Sequence, residues 1–191
     1  MKPARTTEVQ VFPEVIADLL LLQAEHDRLE VGALLVGYEE GHTLHVHDMV
    51  PTLKPGTSTR IEFTPLDFDR AMDRLREGQM IVGWAHSHPT YGPWMSGIDR
   101  THQENGQEMY PDYIGLVFDA YHDQGAAYKF FRLVNGKLLT VPRKMKGSRW
   151  NTKGRYRLKT GIKPPSKASA SPSAAAAPSD RRPHAPVRGL E

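Results

Sequence analysis

Apolar positions recur at helical spacing over residues 13–29, where Val15, Ile16, Leu19, Leu20 and Leu22 make one broad face. Pro13 suits a first helical turn, since the N–H it lacks would have no partner there. Glu14 favours the positive end of the helix dipole. The period then changes. Residues 31–38 and 43–50 read as two strands joined in a hairpin through Glu39, Glu40 and Gly41. Residues 32–37 are small and apolar throughout, as in a strand buried on both faces. Residues 57–63 alternate like a short exposed strand, and Thr64-Pro65 opens a second helix running to about residue 77. An apolar strand over 80–88 leads into a loop rich in Pro, Gly and aromatics, and a helix follows over 96–109. Residues 113–118, 127–133 and 137–141 read as three more strands. Helices interleaved with strands in this order predict an α/β domain whose central mixed β-sheet is flanked by helices.

After residue 145 the pattern stops. The expectation is one domain over residues 8–145 and a basic tail over 146–191, rich in Pro, Ser and Ala and disordered because it has little to bury. The 191 residues suit one domain of ordinary size plus this excess. Charge divides the same way. Residues 147–191 carry ten Lys or Arg against two acids, so the remaining 146 residues hold 15 of the 25 basic and 20 of the 22 acidic side chains. The domain is mildly acidic and the basic character belongs to the tail. With only Trp150 and Tyr156 as aromatics there, a dedicated nucleic-acid module is not expected.

Cysteine is absent, which excludes disulfides, zinc–thiolate clusters and cysteine nucleophiles. A peptidase built on this chain must use a hydroxyl or a metal-bound water. No run approaches the ~20 apolar residues that cross a bilayer, and no signal-peptide pattern follows the first residues. A cytoplasmic protein with no membrane contact is expected.

The chemistry concentrates in Gly83-Trp84-Ala85-His86-Ser87-His88-Pro89 and Trp94-Met95-Ser96-Gly97-Ile98-Asp99. His86 and His88 are two apart, so on a strand both imidazoles point to one face. Asp99 can supply a third ligand, and three protein ligands with one open tetrahedral position define a catalytic zinc site. Ser96 lies one helical turn before Asp99, shares its face, and is a good N-cap. Its hydroxyl can donate to a developing oxyanion. Such a site needs a base for the proton of the water, and Glu30 is the candidate, a charged residue beside the apolar strand that begins at Val31.

These residues resemble the motif of the JAMM (MPN+) zinc metalloproteases: a distant Glu, then His-x-His, seven residues, Ser, two residues and Asp. The spacing holds throughout, from Glu30 to Asp99, and the likeness covers about residues 8–142. It implies a single MPN-type domain with His86, His88 and Asp99 as ligands of one Zn2+, Glu30 as general base and Ser96 as oxyanion stabiliser. Gly56-Thr57-Ser58-Thr59-Arg60 resembles the substrate-clamping insertion of the proteasome-lid deubiquitinase and signalosome deneddylase type. The resemblance implies an isopeptidase acting on ubiquitin or ubiquitin-like conjugates, with residues 57–63 pairing as an added strand with the modifier's tail. Thr90 and Pro93 stand where close relatives often have Gly and Cys.

Two other readings share the residues. The same site can serve a small sulfur-carrier protein or a peptide conjugate, and a non-catalytic MPN scaffold would only bind partners, as in a proteasome-like assembly. Trp94 and Tyr91, in the loop beside the metal, are candidates for substrate contact or for plain packing. His45 and His47 are read as the outer face of a hairpin strand, and His102 as a solvated helix position.

Overall fold

The computed structural model describes residues 4–122 and 127–147. The tail expected beyond residue 147 lies outside the described residues. The elements are β1 (Glu8–Val11), α1 (Pro13–His26), β2 (Gly32–Glu40), β3 (Thr43–Pro51), α2 (Pro65–Met72), β4 (Met80–Ser87), α3 (Gly97–Met109), β5 (Ile114–Asp119), β6 (Ala127–Val134), β7 (Lys137–Thr140) and β8 (Arg143–Met145). The eight strands form one mixed sheet in the order β7-β6-β5-β4-β2-β3-β1-β8.

The sheet is curled, and connectivity requires it. β7 and β8 sit at opposite ends of the strand order, yet only Val141 and Pro142 separate them in sequence. So short a link spans on the order of 10 Å, so the two ends of the sheet must approach each other. The link itself closes the gap: Val141 N–H donates to Phe130 C=O at 2.8 Å, and Val9 N–H donates to Pro142 C=O at 2.9 Å.

Alternate residues of β2 feed two cores. Ala33 and Leu35 face a cluster that includes Val15, Leu19, Val46, Leu116 and Phe118, covered by α1. Leu34 and Val36 face a second cluster with Ala71, Trp84 and Tyr113, on the side of α2 and α3. This two-sided burial is why residues 32–37 lack the polar alternation of a one-sided strand.

Two strands escape the sequence pattern. β1 and β8 are only four and three residues long, too short for a period to show, and they form by parallel pairing with β3 and with each other. The expected strand over 57–63 is absent. There, Thr57 N–H donates to Arg60 C=O at 2.8 Å, so the backbone closes a turn on itself. A strand needs a neighbour for its ladder. Ile61 and Phe63 instead pack over Gly32, where an added Cβ would stand 2.9 Å from Ile61 Cγ1 and 3.0 Å from Phe63 Cζ. α2 ends at Met72 rather than near residue 77, and residues 73–79 carry a turn with Gly78 at φ 76°.

A buried ion pair secures the start of the domain. Asp112 accepts from the backbone N–H of Arg5 and Thr6 and from the Thr6 hydroxyl, at 2.6–3.0 Å. Arg132 lies 3.6 Å from Asp112 and donates to Thr6 C=O at 2.7 Å.

Candidate metal centre

The centre forms where the end of β4 meets the start of α3. His86 and His88 occupy alternate positions of the chain leaving β4, so their rings share one face. Asp99 is the third residue of α3, and Ser96 is the N-cap. Ser96 Oγ accepts from Asp99 N–H at 3.3 Å, and Ser96 N–H donates to Asp99 Oδ2 at 2.7 Å. This capping box locks the carboxylate against the helix start.

Three ligand atoms converge. His86 Nε2 and His88 Nε2 are 3.0 Å apart, Asp99 Oδ1 is 3.3 Å from His86 Nε2, and Asp99 Oδ2 is 3.5 Å from His88 Nε2. All three side chains are buried. Donors held about 2.0–2.2 Å from a tetrahedral ion stand roughly 3.3–3.5 Å apart, and these pairwise separations are of that order. Two ring nitrogens directed at each other and at a carboxylate are also an arrangement that a divalent cation satisfies. The residues fit the ion.

The electrostatics agree. Burial pushes the His86 imidazole below its ordinary pKa, which the Asp99 partner only partly offsets, and favours the neutral form a metal needs. Burial works to raise the Asp99 carboxyl, but hydrogen bonds to His86 and His88 outweigh it and hold it far below the carboxylate range. Glu30 behaves oppositely. Burial raises it to about 7, with His88 lowering and Asp99 raising it.

Glu30 reaches the centre because four backbone and side-chain links fix its segment. Ser87 N–H donates to Val31 C=O at 2.9 Å, and Val31 N–H donates to Ser87 Oγ at 2.9 Å. On the other side, Glu30 N–H donates to Thr57 C=O at 2.7 Å and Gly56 N–H donates to Glu30 C=O at 2.8 Å. Its Oε1 then lies 3.9 Å from His88 Nε2.

Of the residues singled out from sequence, Glu30, His86, His88, Ser96 and Asp99 are brought together. Trp94 joins them: it is half exposed, sets its ring edge toward His88 at 5.1 Å between centroids, and donates its indole N–H to Tyr91 C=O at 3.0 Å. Thr57, Ser58, Thr59 and Arg60 form an exposed turn tied to the centre through the backbone of Glu30, and Arg60 pairs with Glu62 at 2.8 Å.

Two histidines depart from expectation. His45 is buried, not on an outer face, because Tyr38 stacks on it at 4.6 Å and Glu40 and Lys146 hold its two nitrogens. His102 is packed between Trp84 and Phe63, at 4.4 and 5.4 Å, rather than solvated.

Sequence reasoning passed over three supporting residues. Asp119, at the end of β5, accepts from Thr90, Gly92 and Tyr121 N–H at 2.8–3.3 Å and so holds the loop that carries Trp94. Trp84 stacks on His86, and Gln103 accepts the Trp84 indole N–H. The two-residue period that pairs His86 with His88 extends back to Trp84, a legible signal. Asp119 had none, because its partners lie in a loop far along the chain.

Fold and centre together define a curled-sheet α/β domain with a buried two-histidine, one-aspartate group of a kind that can hold a metal ion. Residues 5–112 match the family described as JAB1/Mov34/MPN/PAD-1 ubiquitin protease, and the chain belongs to that family. It is 36% identical over 95 residues to COP9 signalosome complex subunit 5 of Eremothecium gossypii, covering 48% of this chain and 23% of that protein. It is 29% identical over 150 residues to 26S proteasome non-ATPase regulatory subunit 14 of Drosophila melanogaster, covering 73% of this chain and 48% of that one. The chain thus spans less than half the length of these curated relatives. Among solved structures, protein DSY2949 from Desulfitobacterium hafniense superposes with a TM-score of 0.60 at 17% identity, covering 73% of this chain and 94% of that one, which shows a shared fold. Among the described residues no helix is long and apolar enough to cross a membrane.

Proposed function

We propose that this chain is a zinc-dependent isopeptidase that removes ubiquitin or a ubiquitin-like modifier from the lysine of a conjugated protein. One observation carries the reading. The Nε2 atoms of His86 and His88 stand 3.0 Å apart, each has an Asp99 carboxylate oxygen at 3.3–3.5 Å, and the carboxylate of Glu30 is 3.9 Å from His88 Nε2. His86, His88 and Asp99 would hold Zn2+, which supplies Lewis acidity toward a water and a substrate carbonyl.

Glu30 Oε1 takes the proton of the attacking water and returns it to the leaving lysine amine. Ser96 uses Oγ as an acceptor in the helix cap, which leaves its hydroxyl proton to donate to the carbonyl oxygen as charge develops there. The turn at Thr57, Ser58, Thr59 and Arg60 and the indole of Trp94 flank the centre and hold the extended tail of the modifier. The names of the relatives, subunits of a signalosome complex and a proteasome, support work within a larger assembly.

The test is cleavage of a ubiquitin-like protein joined through its C-terminal glycine to a lysine, using the full chain with and without a zinc chelator. Cleavage abolished by the chelator and restored by zinc supports the reading. Cleavage confined to peptide conjugates or sulfur-carrier proteins assigns the same chemistry to another substrate. A chain that binds no zinc overturns the reading.

A further inference from the structure

A histidine that binds a metal through Nε2 is ordinarily aimed by a hydrogen bond from its Nδ1–H to a carboxylate, a carbonyl or water. His86 does not follow that rule. Its side chain is fully buried, and its Nδ1 has no hydrogen-bond partner among the described residues. Something else must hold the ring in plane, because a neutral imidazole can turn about its χ2 bond.

Trp84 lies face to face with the ring. The two centroids are 4.7 Å apart and the planes differ by 5°. Strand geometry supplies the approach, since Trp84 and His86 are alternate residues of β4 and project from the same face. The indole is itself fixed. Its N–H donates to Gln103 Oε1 at 2.8 Å, and Gln103 Nε2 donates to Tyr113 C=O at 2.8 Å and to Gln107 Oε1 at 2.9 Å. Gln107 in turn accepts from Leu133 N–H at 2.7 Å, which ties the chain of bonds to β6. The rings of Phe63 and His102 close on the indole edgewise, at 5.8 and 4.4 Å.

Room for this arrangement comes from Gly115. A Cβ there would stand 2.1 Å from Met95 Cε, 2.8 Å from Gln103 Oε1 and 3.1 Å from the indole nitrogen of Trp84. The backbone of β5 gives up a side chain where the indole and Gln103 meet.

We infer that Trp84 is a positioning residue for the metal: its stacked indole, anchored through Gln103, sets the plane of the His86 ring and aims Nε2 at the ion. The inference rests on the zinc reading above. It assigns Trp84 no contact with substrate, and it places the determinant of ligand geometry in a π-stack rather than a hydrogen bond.

The experiment is a zinc competition titration against a chromogenic chelator, with the full chain and two classes of variant. Trp84→Leu removes the ring and keeps an apolar side chain, whereas Trp84→Phe restores a ring that can stack. Loss of a residue that orients a ligand weakens metal binding by about 10–100-fold, and that is expected for Trp84→Leu. Trp84→Phe, which can stack but cannot bond Gln103, is expected to bind more tightly than Trp84→Leu and more weakly than the unaltered chain. A ligand-field spectrum with Co2+ gives an independent readout, because a rotated ligand changes the tetrahedral bands even at saturation. Thermal melts of the metal-free variants establish folding. Where Trp84→Leu does not fold, Trp84→Met carries the comparison, since its flexible side chain fills irregular gaps. Equal zinc affinity and an unchanged Co2+ spectrum in a folded ringless variant overturn the inference while leaving the zinc centre standing. An unaltered chain that binds no metal overturns the zinc reading and the inference together.

Discussion

Glu30 Oε1 lies 3.9 Å from His88 Nε2, where the chain entering β2 meets the chain leaving its antiparallel neighbour β4. Neither residue is placed by its own side chain. Ser87, between the two histidines, turns to the opposite face and clasps Val31 through two hydrogen bonds, which sets Glu30 beside His88. The relationship separates two roles within one cluster, and mutation can tell them apart.

Glu30→Gln keeps the shape of the side chain and removes its capacity to hold a proton. Loss of a positioned base costs about 10²–10⁴-fold in rate. Zinc stoichiometry and fold should be unchanged, and metal analysis beside a cleavage assay of the purified variant decides. An active Glu30→Gln would show that another group moves the proton.

His88→Ala tests the proposed role of His88 as a ligand, and its expected signature is different. On the proposed zinc reading, the unaltered chain should gain stability from added zinc, about 2.7 kcal/mol when free metal is 100 times its Kd. The variant should retain little zinc after desalting, and its Tm should no longer rise when zinc is added. A variant that still binds one equivalent would remove His88 from the ligand set.

Asp119→Ala tests the loop beside the centre. The carboxylate accepts three backbone N–H groups, two of them at Thr90 and Gly92, both held at positive φ. Leaving buried donors unpaired costs about 1–3 kcal/mol. The loop that carries Trp94 loosens, while His86, His88 and Asp99 stay in place. KM should rise more than kcat falls, with zinc binding intact. A variant with unchanged KM would mean that the loop does not contact substrate.

Asp67 offers a prediction in pH. Its side chain accepts from Thr64 N–H and hydroxyl and from Leu53 N–H, which caps α2 and fixes the loop after β3. Burial works to raise its carboxyl, but these hydrogen bonds and Arg70 outweigh it and hold it below its ordinary value. A carboxylate with a lowered folded pKa adds stability that is complete above its unfolded value, near 3.9, and is lost as pH falls through the folded one. Asp67→Asn should therefore lower Tm at pH 7 by the equivalent of about 1 kcal/mol. That gap should narrow below about pH 4. Thermal melts across pH 3–7 decide, and a gap that stays constant would show that the charge contributes nothing.

Much of the centre was legible because its signals are local. His86 and His88 need only the strand period, and Ser96 and Asp99 need only one helical turn, so short spacing places all four on two faces. Glu30 was legible through its resemblance to a motif and its odd charge beside an apolar strand. Trp84 falls on the same two-residue period, two positions before His86.

The sequence by itself determined which residue types meet. The spacing of His86, His88, Ser96 and Asp99, the buried character of β2 and the helices at 13–26 and 97–109 all follow from near neighbours. Tertiary structure decided how they meet. The curl of the sheet comes from the two-residue link between strands at its opposite ends, the turn at residues 57–60 from a segment with no strand beside it, and the burial of His45 from Tyr38, Glu40 and Lys146. The physical reason is range. Periodicity and capping are fixed by neighbours within about one or two turns, whereas strand pairing, burial of a given face and the partners of a buried polar group depend on residues that only the folded chain brings near.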